Sequence, residues 1–143
     1  MGYKNIMVAV GFDNQAQALL QKAESVASHY PGATLSIIHV DMNVAEFYQG
    51  AVGLDLKAYD STDHQESVHE MKHLIETMSM PISKHLLYAG SVENEIVAAI
   101  ETNDIDLLIM GHHRTNAFTQ MFSETESLVR MMPCDVMLVR LDK

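Results

Sequence analysis

IDLLIMGHHRTNAFTQMFSETESLVRMMPCDVMLVR, from Ile105 to Arg140, is the stretch that decides the fold. It opens on an apolar run, Ile105 to Met110, with Asp106 the one interruption. The run is too short for an independent helix, and its lack of alternation suits a strand covered on both faces. Gly111 closes it, and the polar segment His112-His113-Arg114-Thr115-Asn116 follows. Phe118, Phe122, Thr125, Leu128, Val129 and Met132 then recur at helical spacing. Pro133 stops that helix, since it lacks an N–H and pushes the preceding residue toward extended backbone. Val136 to Leu141 is a second apolar run. Strand, loop, helix and strand in that order make a parallel βαβ unit, with the loop at the strand's carboxyl end, where open parallel sheets bind ligands.

The N-terminal part repeats the pattern. Ile6 to Val10 is an uninterrupted apolar strand, broken by Gly11-Phe12-Asp13-Asn14, where Asp13 or Asn14 can cap a helix. Ala16, Leu19, Leu20, Ala23, Val26, Ala27 and Tyr30 mark one face of that helix. Pro31-Gly32 ends it, and Ala33 to Val40 is a second strand. Asp41 to Asp60 shows no clean period and reads as an irregular connection with at most a helical turn. Thr62 with Gln65 forms a capping box that opens a second helix. After Pro81, Ile82 to Tyr88 is a third strand, and its Ser83, Lys84 and His85 suit a sheet edge. Ser91 caps a third helix carrying Val92, Ile96, Val97, Ala99 and Ile100. Five strands interleaved with four helices predict an α/β, doubly wound parallel sheet with helices on both faces, as a single domain over residues 1–143.

An apolar strand ending in Gly111-His112-His113, a polar loop, a helix, and Pro133-Cys134-Asp135-Val136-Met137-Leu138-Val139-Arg140 together resemble the C-terminal half of universal stress proteins. Tyr3 to Val10 and Leu35 to Asp41 are similar to the same family, and the likeness covers essentially the whole chain. It is strongest to the A-type members, which are small bacterial cytoplasmic proteins. The resemblance implies the strand order 3-2-1-4-5 of the universal stress protein and adenine nucleotide alpha hydrolase-like fold. That order sets the loops after strands 1 and 4 side by side at the topological switch point. It also implies a homodimer through the last strand and a role in stress resistance by contact with protein clients.

Many members bind ATP through an Asp closing the first strand and a glycine-rich loop after the fourth that ends on Gly-Ser or Gly-Thr. Glycine there lets backbone N–H groups approach the phosphates. By the resemblance, the Asp position falls on Gly11, beside Asp13. The loop's first glycine is Gly111, followed by His112, but the second is Arg114 and the third, before Thr125, is Glu124. Glu124 puts a carboxylate where a phosphate needs open amides, so the pocket is read as degenerate and no cofactor is expected. The alternative is a nucleotide-binding protein using Gly111, His112, Arg114 and Thr125.

His69-Glu70-Met71-Lys72-His73 matches the H-E-x-x-H helix of zinc hydrolases, a more distant alternative. His64, Val68, Met71, Leu74, Ile75 and Met78 form the apolar stripe, so His69 and His73 point outward and no metal is expected. Cys134 reads as a small apolar filler, and there is no nucleophile elbow, catalytic triad order or Walker A sequence. No catalytic residue, and no enzyme, is expected.

Composition sets the class of partner. With 143 residues, 48% of them hydrophobic, the chain can bury a core of its own. A net charge of -10 argues against nucleic acid or an anionic membrane as partner. One cysteine, with no apolar run of spanning length and no signal peptide, points to the cytoplasm. The last strand, Val136-Met137-Leu138-Val139-Arg140-Leu141, is apolar on both faces with Arg140 as its gatekeeper. An edge of that kind calls for a cover, and a second copy across a two-fold axis supplies one.

Overall fold

Apolar runs that lack alternation become neighbouring parallel strands, each buried from two sides. The computed structural model describes residues 2–42, 56–112 and 129–141. Within them β1 (Asn5–Ala9), β2 (Thr34–Met42), β3 (His85–Gly90), β4 (Leu107–His112) and β5 (Asp135–Arg140) form a sheet in the order β3-β2-β1-β4-β5. All four neighbouring pairs are parallel. Helix α1 (Ala16–Ser28) links β1 to β2, α2 (Leu56–Glu76) precedes β3, and α3 (Val92–Thr102) links β3 to β4. Residues 129–131 are helical ahead of β5.

The two-residue period of the strands divides the core into two layers. Ile6, Val8, Leu35, Ile37, Leu107 and Ile109 face α1, through Leu19, Leu20 and Ala23, and α2, through Met71 and Leu74. Met7, Ile38, Leu108 and Met110 face the opposite way, onto Ile96, Ala99 and Ile100 of α3. Helices therefore cover both faces, which is why β1 and β4 carry no polar alternation. Each fully buried Ile or Leu in these layers contributes about 1.5–3 kcal/mol.

Several boundaries differ from the sequence reading. Helix α2 begins at Leu56, so Thr62 and Gln65 lie inside it and form no capping box. Leu56, Lys57 and Ala58 are good helix formers, and the helix runs through the local start signal. Strand β2 continues to Met42, paired with Gly90, rather than ending at Val40. Strand β3 starts at His85 rather than Ile82. Gly111 does not end β4, because it pairs with Val139 and His112 pairs with Arg140. Helix α1 is capped at Gln15 with no side-chain cap, although Asp13 Oδ1 accepts the Gln15 N–H at 2.8 Å. Ser91 does cap α3, its hydroxyl accepting from the Asn94 N–H at 3.5 Å.

The amino ends of the strands are stitched together. Asp106, which reads in the sequence as an interruption, accepts the Lys4 N–H at 2.9 Å and the Asn5 N–H at 3.0 Å, one on each carboxylate oxygen. Its own N–H donates to the Asn5 carbonyl at 2.9 Å. Asn5 Nδ2 reaches the Asp104 carbonyl at 3.1 Å, and the Thr34 N–H donates to the Lys4 carbonyl at 2.8 Å. Three strand starts, β1, β2 and β4, are thereby held in register.

Candidate functional site

The strand order puts the switch point where β1 lies between β2 and β4. Ala9 pairs with Ile38 on one side and Met110 on the other, so the chain leaving β1 runs between the other two carboxyl ends. The Val10 N–H donates to the Ile38 carbonyl at 2.9 Å, which carries the pairing one residue past the strand. Gly11 and Asp13 are then exposed and Phe12 is half-buried.

Phe12 and His39 decide the character of this edge. Their rings stack with centroids 3.8 Å apart and planes 27° from parallel. The His39 Nδ1 lies 2.7 Å from the Val10 carbonyl, so Nδ1 carries the proton and donates. The imidazole is thus tied to the backbone of β1 while its face is covered by the next aromatic residue of the same segment. An aromatic pair of the chain's own thus sits at the carboxyl ends of β1 and β2, beside the switch point.

The two glycines of the site have different reasons to be glycine. Among the described residues, a Cβ on Gly11 would meet only the Asp13 Oδ2, at 3.5 Å, an ordinary contact that does not demand glycine. A Cβ on Gly111 would come within 2.5 Å of the Leu141 Cδ1 and 3.6 Å of the Leu19 Cδ2. Gly111 is where β4 lets the side chain following β5 cross its surface, a packing role that requires no phosphate. Asp13 is spent on the turn into α1, with Oδ1 on the Gln15 N–H and its carbonyl on the Ala16 N–H at 3.3 Å. Arg114, Glu124 and Thr125 lie outside the described residues, as does His113.

His69 and His73 are both exposed on α2, while Ser67, Met71 and Leu74 are buried on its inner side. Among the described residues no three His, Cys, Asp or Glu side chains converge as a metal centre. The Cys134 thiol is half-buried, and burial raises its pKa, which disfavours the nucleophilic thiolate. It borders a cleft at the amino edge with Tyr3, Lys4, Tyr30, Asp106 and Asp135. The polar groups there are engaged with one another: Tyr3 Oη donates to Asp135 Oδ2 at 2.7 Å, and Asp106 holds the start of β1. The Tyr3 and Tyr30 rings meet edge to face at 5.2 Å.

The sequence reading takes Phe12 only as part of the break after the first strand. The missed signal was an aromatic residue directly after Gly11, with a histidine toward the carboxyl end of the neighbouring strand. It also left open which residues of β5 face outward. Val139 is only 9% exposed, whereas Leu138 is 46% exposed, and Met131 and Val129, 45% and 44% exposed, precede the strand.

This sheet is a doubly wound parallel α/β architecture of order 3-2-1-4-5, and comparison with known proteins narrows it. Residues 2–140 match the model of the universal stress protein family, and the chain belongs to that family. A universal stress protein A homolog of Pasteurella multocida is 32% identical over 139 residues, 97% of each chain. Among solved structures, the universal stress protein UspA from Lactobacillus plantarum superposes with a TM-score of 0.69 at 24% identity, covering 98% of this chain and 99% of that one. The universal stress protein from Archaeoglobus fulgidus in complex with dAMP gives 0.66 at 17% identity, covering 97% and 99%.

Proposed function

We propose that this chain works as an A-type universal stress protein: a cytoplasmic, non-catalytic homodimer without bound nucleotide or cofactor that acts through contact with protein clients. The observation that carries the nucleotide part is the Phe12–His39 stack, a built-in aromatic pair at the carboxyl ends of β1 and β2, beside the switch point. It is joined by Gly11 where the nucleotide-binding members carry Asp, and by Gly111 being held against Leu141. The dimer part rests on β5, an end strand of the sheet whose Leu138 is exposed, as is Met131 ahead of the strand. An apolar end strand of this kind is a template for pairing unless covered. The charge of -10 supports protein rather than nucleic acid or membrane as partner, and among the described residues no helix is long and apolar enough to cross a membrane.

A second reading, nucleotide binding, is favoured by the dAMP complex of the Archaeoglobus fulgidus relative with the same fold. Native mass spectrometry and melting with magnesium ATP separate the two. The expected outcome is no co-purifying adenine nucleotide and a negligible shift, since ligand stabilisation follows concentration over Kd. A saturable upward shift at millimolar ATP establishes the second reading. For the dimer, Leu138→Asp should halve the sedimenting mass while leaving the helical circular dichroism intact. This position is a cleaner probe than Val139, whose side chain belongs to the core. A wild-type chain sedimenting as a monomer at micromolar concentration overturns the dimer.

A further inference from the structure

We propose that His69 and His73 on the outer face of α2 form a two-point chelating site for a late first-row divalent cation, separate from the switch-point crevice. A catalytic zinc centre needs three protein ligands, and none converge here among the described residues; a chelate of two imidazoles needs only the helix. Residues four apart are separated by about 6 Å of rise and about 40° of rotation, so two side chains meet above one turn. Imidazole nitrogens on such a turn can reach a shared ion at about 2.0–2.1 Å. Both residues are exposed, and neither ring is engaged in a hydrogen bond or ion pair with a described residue.

The helix also holds the pair outward. Met71 and Leu74, between and just beyond the two histidines, are buried in the core layer that α2 shares with α1. The histidine face therefore needs no rearrangement to receive an ion. Glu66, Glu70 and Glu76 lie within a turn of the pair and are exposed or nearly so, against the single cation Lys72. Their field favours a divalent cation. Imidazole ligands suit Cu²⁺, Ni²⁺ and Zn²⁺, with Cu²⁺ tightest, while Mg²⁺ and Ca²⁺ demand oxygen. Water fills the remaining positions. Because the ion bridges successive turns, its binding stabilises the C-terminal end of α2.

The test is calorimetric titration of the full-length protein with nickel chloride, with amide hydrogen exchange read over residues 69–76. One Ni²⁺ per chain and slower exchange in that segment are expected. His69→Gln and His73→Gln should each weaken binding at least tenfold and abolish the exchange effect, because one imidazole cannot chelate. His85→Gln, an exposed histidine on β3, should change neither, and magnesium chloride should produce neither. Absence of Ni²⁺ binding at millimolar metal, unchanged affinity in either α2 variant, or loss of binding in His85→Gln would each overturn the proposal.

Discussion

The two ends of the sheet are built differently. At the amino ends, side chains tie the strands together: Asp106 holds the Lys4 and Asn5 backbone, Asn5 holds the Asp104 carbonyl, and the Tyr3 hydroxyl donates to the Asp135 carboxylate. These contacts span most of the chain and fix the relative positions of β1, β4 and β5. At the carboxyl ends, the described contacts include the Phe12–His39 stack, the bond from His39 to the Val10 carbonyl, a local turn at Asp13 and the Ser91 cap of α3. In an open parallel sheet the carboxyl edge is where ligands bind, so it is the edge on which residues can change without loss of fold. The amino edge carries register, and the carboxyl edge is free to specialise. Gly11 is an instance: by the resemblance it stands where nucleotide-binding members carry Asp, and among the described residues no neighbour forces it to be glycine.

That contrast predicts unequal costs of substitution. The largest falls on Asp106→Ala, which strips the partner from two backbone N–H groups at once. Hydrogen bonds to a charged acceptor contribute about 1.5–3 kcal/mol, and water can replace the more exposed one, so a loss of about 2–3 kcal/mol is expected. Urea denaturation measures it. A loss below about 0.5 kcal/mol, the range of an ordinary surface substitution, would mean that the amino edge does not carry register.

Next comes Gly111→Ala, a position on the carboxyl side where packing is tight. The added methyl must displace the Leu141 side chain, an overpacking cost of about 1–3 kcal/mol. Replacing glycine within a strand returns about 0.5–1 kcal/mol through reduced chain entropy. A net loss of about 1 kcal/mol is expected by the same urea measurement. No loss would show that Leu141 yields freely, and Gly111 would need another explanation.

Gly111 also shows how far the sequence could be read. The strands and their order were legible because an apolar run without alternation has few other uses, and because the resemblance supplied the crossover order. Gly111 and His112 read as a strand end because glycine followed by polar residues breaks local pattern. What keeps them in β4 is the backbone of Val139 and Arg140, distant in sequence. The start of α2 failed for the opposite reason: Thr62 and Gln65 carry a local start signal, but the helix propensity of residues ahead of them extends it to Leu56. The Phe12–His39 stack depends on the β1–β2 register, which no single stretch encodes. Leu138 and Val139 were equally apolar as letters, and only the packing of α1 separates the exposed one from the buried one.

A smaller effect tests the amino edge through pH. Tyr3 is half-buried, and its phenol is raised above its ordinary value near 10, first by the hydrogen bond to Asp135 and then by desolvation and the nearby carboxylate charge. Losing the proton would set a phenolate against that carboxylate. A folded-state pKa above the unfolded one gives stabilisation that is complete below pH about 10 and is lost as pH rises through the folded value. Ultraviolet difference titration should show one tyrosine titrating late in the wild type and returning toward 10 in Asp135→Asn. An unchanged titration in that variant would mean that Asp135 does not hold the phenol in solution.

The smallest effect belongs to Gly11→Asp, which restores the acidic residue of nucleotide-binding relatives. The new Cβ finds ordinary contact distance, and the site is exposed, so stability should change by no more than about 0.5 kcal/mol. Some of that change comes from setting a second carboxylate near Asp13, whose oxygens lie on the same side. The variant is nevertheless expected to remain blind to ATP. Phe12 still covers His39, and His39 stays fixed to the Val10 carbonyl, so a planar ligand entering between β1 and β2 must first displace an aromatic pair. Gly11→Asp combined with Phe12→Ala removes that obstacle, and melting with magnesium ATP compares the two. A saturable ATP shift in the single variant would show that the missing acid alone had closed the crevice. A shift confined to the double variant would place the block on Phe12, as the stacking implies. No shift in either would assign the proposed lack of nucleotide binding to the loop after β4, where by the resemblance Arg114 and Glu124 stand at glycine positions.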